Sequence, residues 1–193
     1  ISVFRSSEVN NLSNSKDKVT FTIGNDIFEY DEVCICTGSS SDDLIALNGS
    51  SLKRGQVSIV KSEESLKDIR VPVCAKGYIS PMIDGIHLVG SSYSNHLDTE
   101  IREDEHASNL RNLKIIYSGD PVIKSGKAGL RAVSKDHVPI AGNLEGIFIN
   151  TCHGSKASIT APICAEVVAC KMLNLSPPLE KSELDALSPL RFN

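Results

Sequence analysis

The stretch from Ile147 to Cys170 constrains this chain more than any other. Ile147-Phe148-Ile149-Asn150-Thr151 reads as a short buried strand, and it runs through Cys152-His153-Gly154-Ser155 into a helical segment from about Ser158 to Leu173. Pro162 is tolerable there only in the first turn, where a missing N–H has no intrahelical partner to lose. Apart from Glu166 and Lys171, the helix is apolar or small nearly all round, which predicts that it packs inside the protein. A buried strand feeding a buried helix is a unit of layered α/β structure.

A second strand of the same kind is Asp31-Glu32-Val33-Cys34-Ile35-Cys36-Thr37-Gly38, whose apolar run ends in glycine. This is how a strand buried on both faces looks, and the loop leaving its C-terminal end is where α/β sheets place ligands. Ahead of it Val19 to Ile23 alternates, Gly24-Asn25-Asp26 turns and Ile27 to Tyr30 returns, a hairpin. Ser39 to Asp43 is a polar connection between two units. Gln56 to Val60, Val71 to Cys74 and Ile86 to Val89, separated by turn signals such as Asp84-Gly85, read as an antiparallel sheet.

Between Asp98 and Tyr117 the period becomes helical through Ala107, Leu110, Leu113 and Tyr117. Glu103, Asp104 and Glu105 towards its start fit a solvated first turn favoured by the helix dipole. Gly129 to Val133 is a further short strand, followed by the Ser134–His137 corner and a turn-like Val138–Gly142, and the proline-bearing tail from Leu175 is expected to wrap the surface.

Several function classes are excluded or disfavoured. A net charge of -4 gives the whole chain no electrostatic reason to bind nucleic acid. No apolar run approaches the roughly 18 residues of a membrane span, so no membrane association is expected. The six cysteines include no C-x-x-C pair and several sit in apolar runs, which predicts reduced thiols and a cytoplasmic protein. The five histidines show no ligand spacing, so no metal site is expected. No serine lies in a G-x-S-x-G elbow. None of the 13 glycines lies two positions from another, so the G-x-G-x-x-G dinucleotide fingerprint is absent from these residues.

What remains are three candidate features. Amides at the helix N-terminus after Gly154 suit an electron-rich partner, although many strand–helix corners hold none. Arg131, mid-strand with Val133 on its own face, suits two-pronged recognition of a carboxylate, or is a surface arginine on an edge strand. Lys124, Lys127, Arg131 and Lys135 form either a phosphate-facing patch or a solvated face.

The order of these segments resembles the FAD-dependent D-amino-acid-oxidase family. The resemblance rests on Asp31 to Gly38, Lys53-Arg54-Gly55-Gln56, Gly129-Leu130-Arg131, Asp136 to Gly142 and His153-Gly154-Ser155. Gly77-Tyr78-Ile79-Ser80-Pro81, Gly90-Ser91-Ser92-Tyr93, Asp98-Thr99-Glu100 and the Ala161-Pro162 to Phe192 ending resemble, more narrowly, the branch that modifies tRNA wobble uridines. The implied fold class is α/β plus α+β. It comprises the C-terminal part of a Rossmann-like FAD-binding domain (1–47 and 136–193) with an inserted antiparallel-sheet substrate domain (48–135).

The implied reaction is FAD-dependent oxidation of a secondary amine, removing the carboxymethyl group from 5-carboxymethylaminomethyl-2-thiouridine in tRNA. The family's N-terminal FAD-binding unit and, in this branch, a methyltransferase region are expected to lie outside the chain, leaving an incomplete FAD site and an inactive fragment. Carried over by position, Arg131 holds the substrate carboxylate as the catalytic residue; Thr37, Gly38, His153, Gly154, Ser155, Lys156 and Ala157 face the flavin; and Arg54, Gln56 and Tyr78 bind substrate. The chain departs from the family at Lys156-Ala157, where arginine-glycine is usual, and at Cys152, where smaller residues are commoner; a positive φ at Ala157 would be strained. Two alternatives stay open: an oxidase of free glycine or sarcosine, and a non-catalytic fragment or half of a split enzyme.

Overall fold

The structure is a computed structural model that describes residues 6–15 and 18–193; residues 1–5 and 16–17 of the expected first segment lie outside the described residues. The chain forms two compact units, 1–51 with 131–193, and 52–130. The first contains β1 (Val9–Asn14), β2 (Val19–Ile23), β3 (Asp26–Tyr30), β4 (Cys34–Ile35) and the short helix α1 (Ser41–Leu44). The second is built on β5 (Ser50–Lys61), β6 (Val73–Cys74), β7 (Tyr78–Ile79), β8 (Ile86–Gly90), α2 (Glu103–Leu113) and β9 (Ile123–Ser134). The chain then returns to the first unit with β10 (Ile140–Leu144), β11 (Ile147–Thr151), α3 (Ala157–Met172) and α4 (Lys181–Leu187). The divisions at 51/52 and 130/131 fall inside β5 and β9, so no loop composition marks them; the sequence reading sets them at 47/48 and 135/136.

In the first unit β1-β2-β3 is an antiparallel sheet that adds one strand to the expected hairpin, with Phe21 stacked on Phe28 and Tyr30. A second sheet has the order β10-β11-β4. Its β10–β11 hairpin turns on Glu145-Gly146, both at positive φ as a two-residue turn of matching twist requires. β11 and β4 run parallel, pairing Phe148 with Cys34 and Ile149 with Ile35. Alternation sends Phe148 to the α3 side, against Ala141, Cys164, Val167, Val168 and Leu187, and Ile149 to the other, against Leu47, Ile140, Leu144 and Cys152.

The second unit is a sheet of order β6-β7-β8-β5-β9, with Val60, Leu66, Ile79, Val89 and Leu113 as its core.

Five expectations are corrected here. The run 31–38 is a strand only at Cys34–Ile35, and Cys36 and Thr37 are exposed, because β11 pairs with just these two residues. The turn-like Val138–Gly142 contains the start of β10, with Gly142 at φ 148°. α3 is not buried all round: Cys164, Val167, Val168 and Cys170 face the core, while Ile159 and Ile163 are 77% and 40% exposed. Glu105 is buried rather than solvated. The tail forms α4, closed by a capping box from Glu180 and Glu183, and then a 3-10 turn; Leu187 and Pro189 are buried.

Candidate functional site

Because β4 and β11 are parallel, their C-terminal ends open on the same edge of the sheet, and the loops that leave them are neighbours. Thr151, the last residue of β11, fastens the two: its hydroxyl donates to the Gly38 carbonyl at 3.2 Å and accepts from Ser41 Oγ at 3.0 Å. Thr37, one residue before Gly38, lies 3.2 Å from Ser41 through its own hydroxyl. Gly38 has φ +60° and nothing within 4 Å of where a Cβ would stand, so its loop presents bare backbone outwards. A hollow of about 400 Å³ opens beside Thr37 with Glu8 and Asp43 on its wall, two carboxylates that would repel phosphate oxygens.

The corner after β11 is built by alternating backbone hands. Cys152 is at φ +59°, His153 at −73° and Gly154 at +57°. Such alternation turns successive amides towards one concavity, which favours anionic or electron-rich groups. A 3-10 turn through Lys156 leads into the 16-residue α3, whose N-terminus has no side-chain cap, and Ser155 to Ala157 are exposed. The first amides of that helix have no intrahelical partner and add to the same positive end. Ala157 has φ −52°, so the strain that a positive φ would have brought does not arise.

His153 holds the corner in shape: one ring nitrogen lies 2.9 Å from Asn150 Oδ1 and the other 2.9 Å from Thr160 Oγ1. A neutral ring would donate to Asn150 and accept from Thr160, whose one hydroxyl proton is shared between His153 and the Lys156 carbonyl at 3.1 Å, and burial lowers the ring's pKa below the ordinary 6.5. Burial pushes the Cys152 thiol up to about 11, so it behaves as an inert core group. Thr151, Ser41, Asn150 and Thr160 are the positioning residues that the sequence reading does not single out. Ser41 and Gly38 lie 110 and 113 positions from Thr151, distances no local period reveals, while Asn150 and Thr160 are near His153 in sequence but meet it only through the corner's backbone turn.

Arg131 lies on the strand that meets this corner. Val133 bridges His153 in antiparallel fashion, and its Cγ1 is 3.2 Å from an ideal Cβ at Gly154. Arg131 is half-buried and shares that face of β9, two residues earlier. Lys124, Lys127 and Lys135 are exposed; the first two belong to the other compact unit.

In the second unit Arg54 and Gln56 are wholly buried. Arg54 donates to Gln56 Oε1 at 3.0 Å and to the Glu100 carbonyl, and pairs with Glu105 at 3.5 Å. Gln56 accepts from the Arg102 amide at 2.9 Å and donates to the Arg102 carbonyl at 2.8 Å. Glu105 is held in turn by Ser92 at 2.7 Å and Ser94 at 3.0 Å. These two expected substrate-binding residues are thus engaged inside the fold. Tyr78 is half-buried on β7, opposite Gly90. Among the described residues, no cluster of three or more His, Cys, Asp or Glu could hold a metal ion, and no helix is long and apolar enough to cross a membrane.

A parallel strand pair ending in a glycine loop and an uncapped, glycine-preceded helix agrees with what a sequence profile detects: the FAD-dependent oxidoreductase (DAO) family matches residues 1–171. The chain belongs to this family. Among curated proteins, the tRNA 5-methylaminomethyl-2-thiouridine biosynthesis bifunctional protein MnmC of Methylobacillus flagellatus is 31% identical over 169 residues, 72% of this chain and 26% of that protein. MnmC of Nitrosospira multiformis is 31% identical over 183 residues, 84% and 29% respectively. The chain therefore spans little more than a quarter of the length of the curated relatives it matches.

Glycine oxidase from Geobacillus kaustophilus superposes with a TM-score of 0.84 at 17% identity, over 97% of this chain and 53% of that one. Iminodiacetate oxidase from Chelativorans sp. BNC1 gives 0.82 at 16%, over 96% and 53%. These likenesses establish a shared fold of mixed α/β content with antiparallel sheets. The family is FAD-dependent, and the corner at Cys152–Ala157 fits such a group chemically: bare backbone at Gly154 and a positive helix end suit an electron-rich ring.

Proposed function

We propose that this chain is the flavin-facing and substrate-holding part of a FAD-dependent amine oxidoreductase. Its substrate in this reading is 5-carboxymethylaminomethyl-2-thiouridine at the tRNA wobble position, from which it removes the carboxymethyl group. Family membership and the MnmC relatives support the reading, and one geometric observation carries it: Arg131 shares its β9 face with Val133, whose methyl group lies against Gly154.

The carboxymethyl group ends in a carboxylate, which the Arg131 fork holds by two parallel N–H···O bonds, fixing the adjacent carbon and nitrogen. FAD, when bound, supplies the hydride acceptor. The positive end of α3 and the corner at Cys152 to Ser155 stabilise negative charge brought to them, and His153, its pKa lowered by burial, holds that corner in place. Removal of a hydride from the carbon and a proton from the nitrogen leaves an imine; water splits it, glyoxylate departs and 5-aminomethyl-2-thiouridine remains. Arg54, Gln56 and Tyr78, to which the resemblance gives a substrate role, belong to the second unit, where Arg54 and Gln56 act through the shape they hold. The dinucleotide-binding phosphate turn and a methyltransferase, which these 193 residues do not contain, come from outside them, so that the isolated chain is colourless and inactive; a tRNA substrate places the protein in the cytoplasm.

The test measures glyoxylate released by the full-length polypeptide from undermodified tRNA and, separately, from free glycine and sarcosine. tRNA is expected to be the productive substrate. Arg131→Met should lower kcat/KM by about a hundredfold, the equivalent of two charge-assisted bonds at ~1.5 kcal/mol each, with Arg131→Lys between the two. Glyoxylate from the free amino acids alone would replace this reading by the amino-acid-oxidase one, and an Arg131→Met enzyme of unchanged kcat/KM would end both.

A further inference from the structure

The sequence reading treats the six cysteines as reduced thiols, several of them in apolar runs. The structure separates them: Cys152, Cys164 and Cys170 are buried, Cys74 is exposed, and Cys34 and Cys36 stand with their sulfurs 3.6 Å apart. Residues two apart on an extended segment point to the same side, which brings these two together. Cys34 is half-buried and paired through its backbone with Phe148, whereas Cys36 lies just past the end of β4, is exposed and is free of the ladder. One sulfur is therefore reachable from solvent, the other sits directly behind it, and the residue carrying the reachable one can shift towards bonding distance without breaking a sheet hydrogen bond.

We propose that Cys34 and Cys36 form a thiol–disulfide exchange site, taking a small disulfide of the glutathione class as its oxidant. In the first step Cys36 Sγ attacks one sulfur of the small disulfide; the new bond joins Cys36 to that half, and the other half leaves as a thiolate that takes up a proton. In the second, Cys34 gives up its proton and attacks Cys36 Sγ, closing the Cys34–Cys36 bond and releasing the remaining half as a thiol. The two cysteines lose two electrons and two protons together, and one small disulfide becomes two thiols.

The electrostatics order the steps. The hydrogen bond from Cys34 lowers the Cys36 pKa to about 7, so that much of it is thiolate at neutral pH, while that same bond and burial push Cys34 up. Once Cys36 is bonded to the small thiol, it no longer accepts that hydrogen bond as a thiolate, and Cys34 is released to act second. The closed bond would abut Thr37 and Gly38, but the exchange does not depend on the flavin reading.

The experiment uses the purified protein carrying Cys74→Ser, so that the other exposed thiol is silent. It is reduced, freed of reductant and treated with oxidised glutathione at neutral pH, and its intact mass is followed. The expected product has lost two hydrogens and carries no glutathione, and peptide mapping joins Cys34 to Cys36. Cys34→Ser in the same background should hold one glutathione on Cys36, and Cys36→Ser should react at least about tenfold more slowly. Glutathione retained on the parent protein, equal reaction of the two variants, a bond from Cys36 to any other cysteine, or no reaction at all would each overturn the proposal. The mass change of the parent is read without relying on either variant's folding.

Discussion

Two arginines on strands show how differently the two compact units use the same side chain. Arg54, in the unit 52–130, has no exposed surface and is surrounded by Gln56, the Glu100 carbonyl, Glu105 and, at 4.0 Å, Asp98. Arg131 is half-buried, on the strand face that meets the open corner after β11. The lesson extends to the backbone around them. In the Arg54 network most polar groups face one another, although Nε and Nη1 of Arg54 have no hydrogen-bond partner among the described residues. At the head of α3 no side chain caps the helix, and the Lys156 amide turns back to the His153 carbonyl. The first arrangement stores stability in complementarity, and the second leaves capacity for a ligand.

The sharpest way to break this comparison is to remove Glu105. Glu105→Ala leaves the buried Arg54 charge with Asp98 at 4.0 Å and two serine hydroxyls that have lost their acceptor, so the cost should approach the lower end of about 3–5 kcal/mol, that of a buried pair broken on one side. A large fall in the urea midpoint at unchanged m is the expected result. Glu105→Gln, which retains a carbonyl acceptor, should lose less. A stability change below about 1 kcal/mol in Glu105→Ala would mean that the network is ornament and that Arg54 is available to a substrate.

The corner is tested by a matched pair of glycines. Gly24 and Gly154 have nearly the same backbone angle, φ +59° and +57°, but an added Cβ meets nothing at Gly24 and stands 3.2 Å from Val133 Cγ1 at Gly154. Gly24→Ala should cost the left-handed penalty alone, about 1–2 kcal/mol. Gly154→Ala should cost slightly more in stability and, in the full-length protein, should also lower flavin content, measured by its absorbance per polypeptide. Equal flavin content in the two variants would remove the corner from the cofactor's surroundings.

Much of this architecture could be read from local pattern, and its limits have physical causes. The alternation of Val19 to Ile23, the apolar Ile147 to Thr151 and the helical periods that become α2 and α3 depend on neighbours a few residues away, and each of these elements is present. β4 shrank to two residues because strand length is set by the partner: β11 pairs with Cys34 and Ile35 alone. Glu105 looked like a solvated first-turn acid because its partners, Arg54, Ser92 and Ser94, are distant in sequence. The corner itself was legible as strand–glycine–helix, but its alternating φ signs were not, since Cys152 is not a residue that announces a left-handed conformation. The capping box at Glu180 and Glu183 was open to reading, with an acid in place of the usual serine or threonine as its first member.

The smallest effect belongs to His153, and it distinguishes an empty corner from an occupied one. Burial holds its folded pKa below the 6.5 of an unfolded histidine. As pH falls from about 7.5 to about 5.5, the unfolded chain therefore takes up a proton at this position before the folded chain does, and stability falls. His153→Gln retains one donor and one acceptor for Asn150 and Thr160 but cannot titrate, so the difference between parent and variant isolates this one group from the other four histidines. The parent should lose more stability than the variant over that interval, in urea unfolding followed at each pH. An electron-rich ring held against the same amides would favour the protonated imidazole and oppose the effect of burial, so the pH slope should flatten when flavin is bound in the full-length protein. A slope that is identical with and without flavin would mean that the ring lies elsewhere, even if the corner is as open as its geometry indicates.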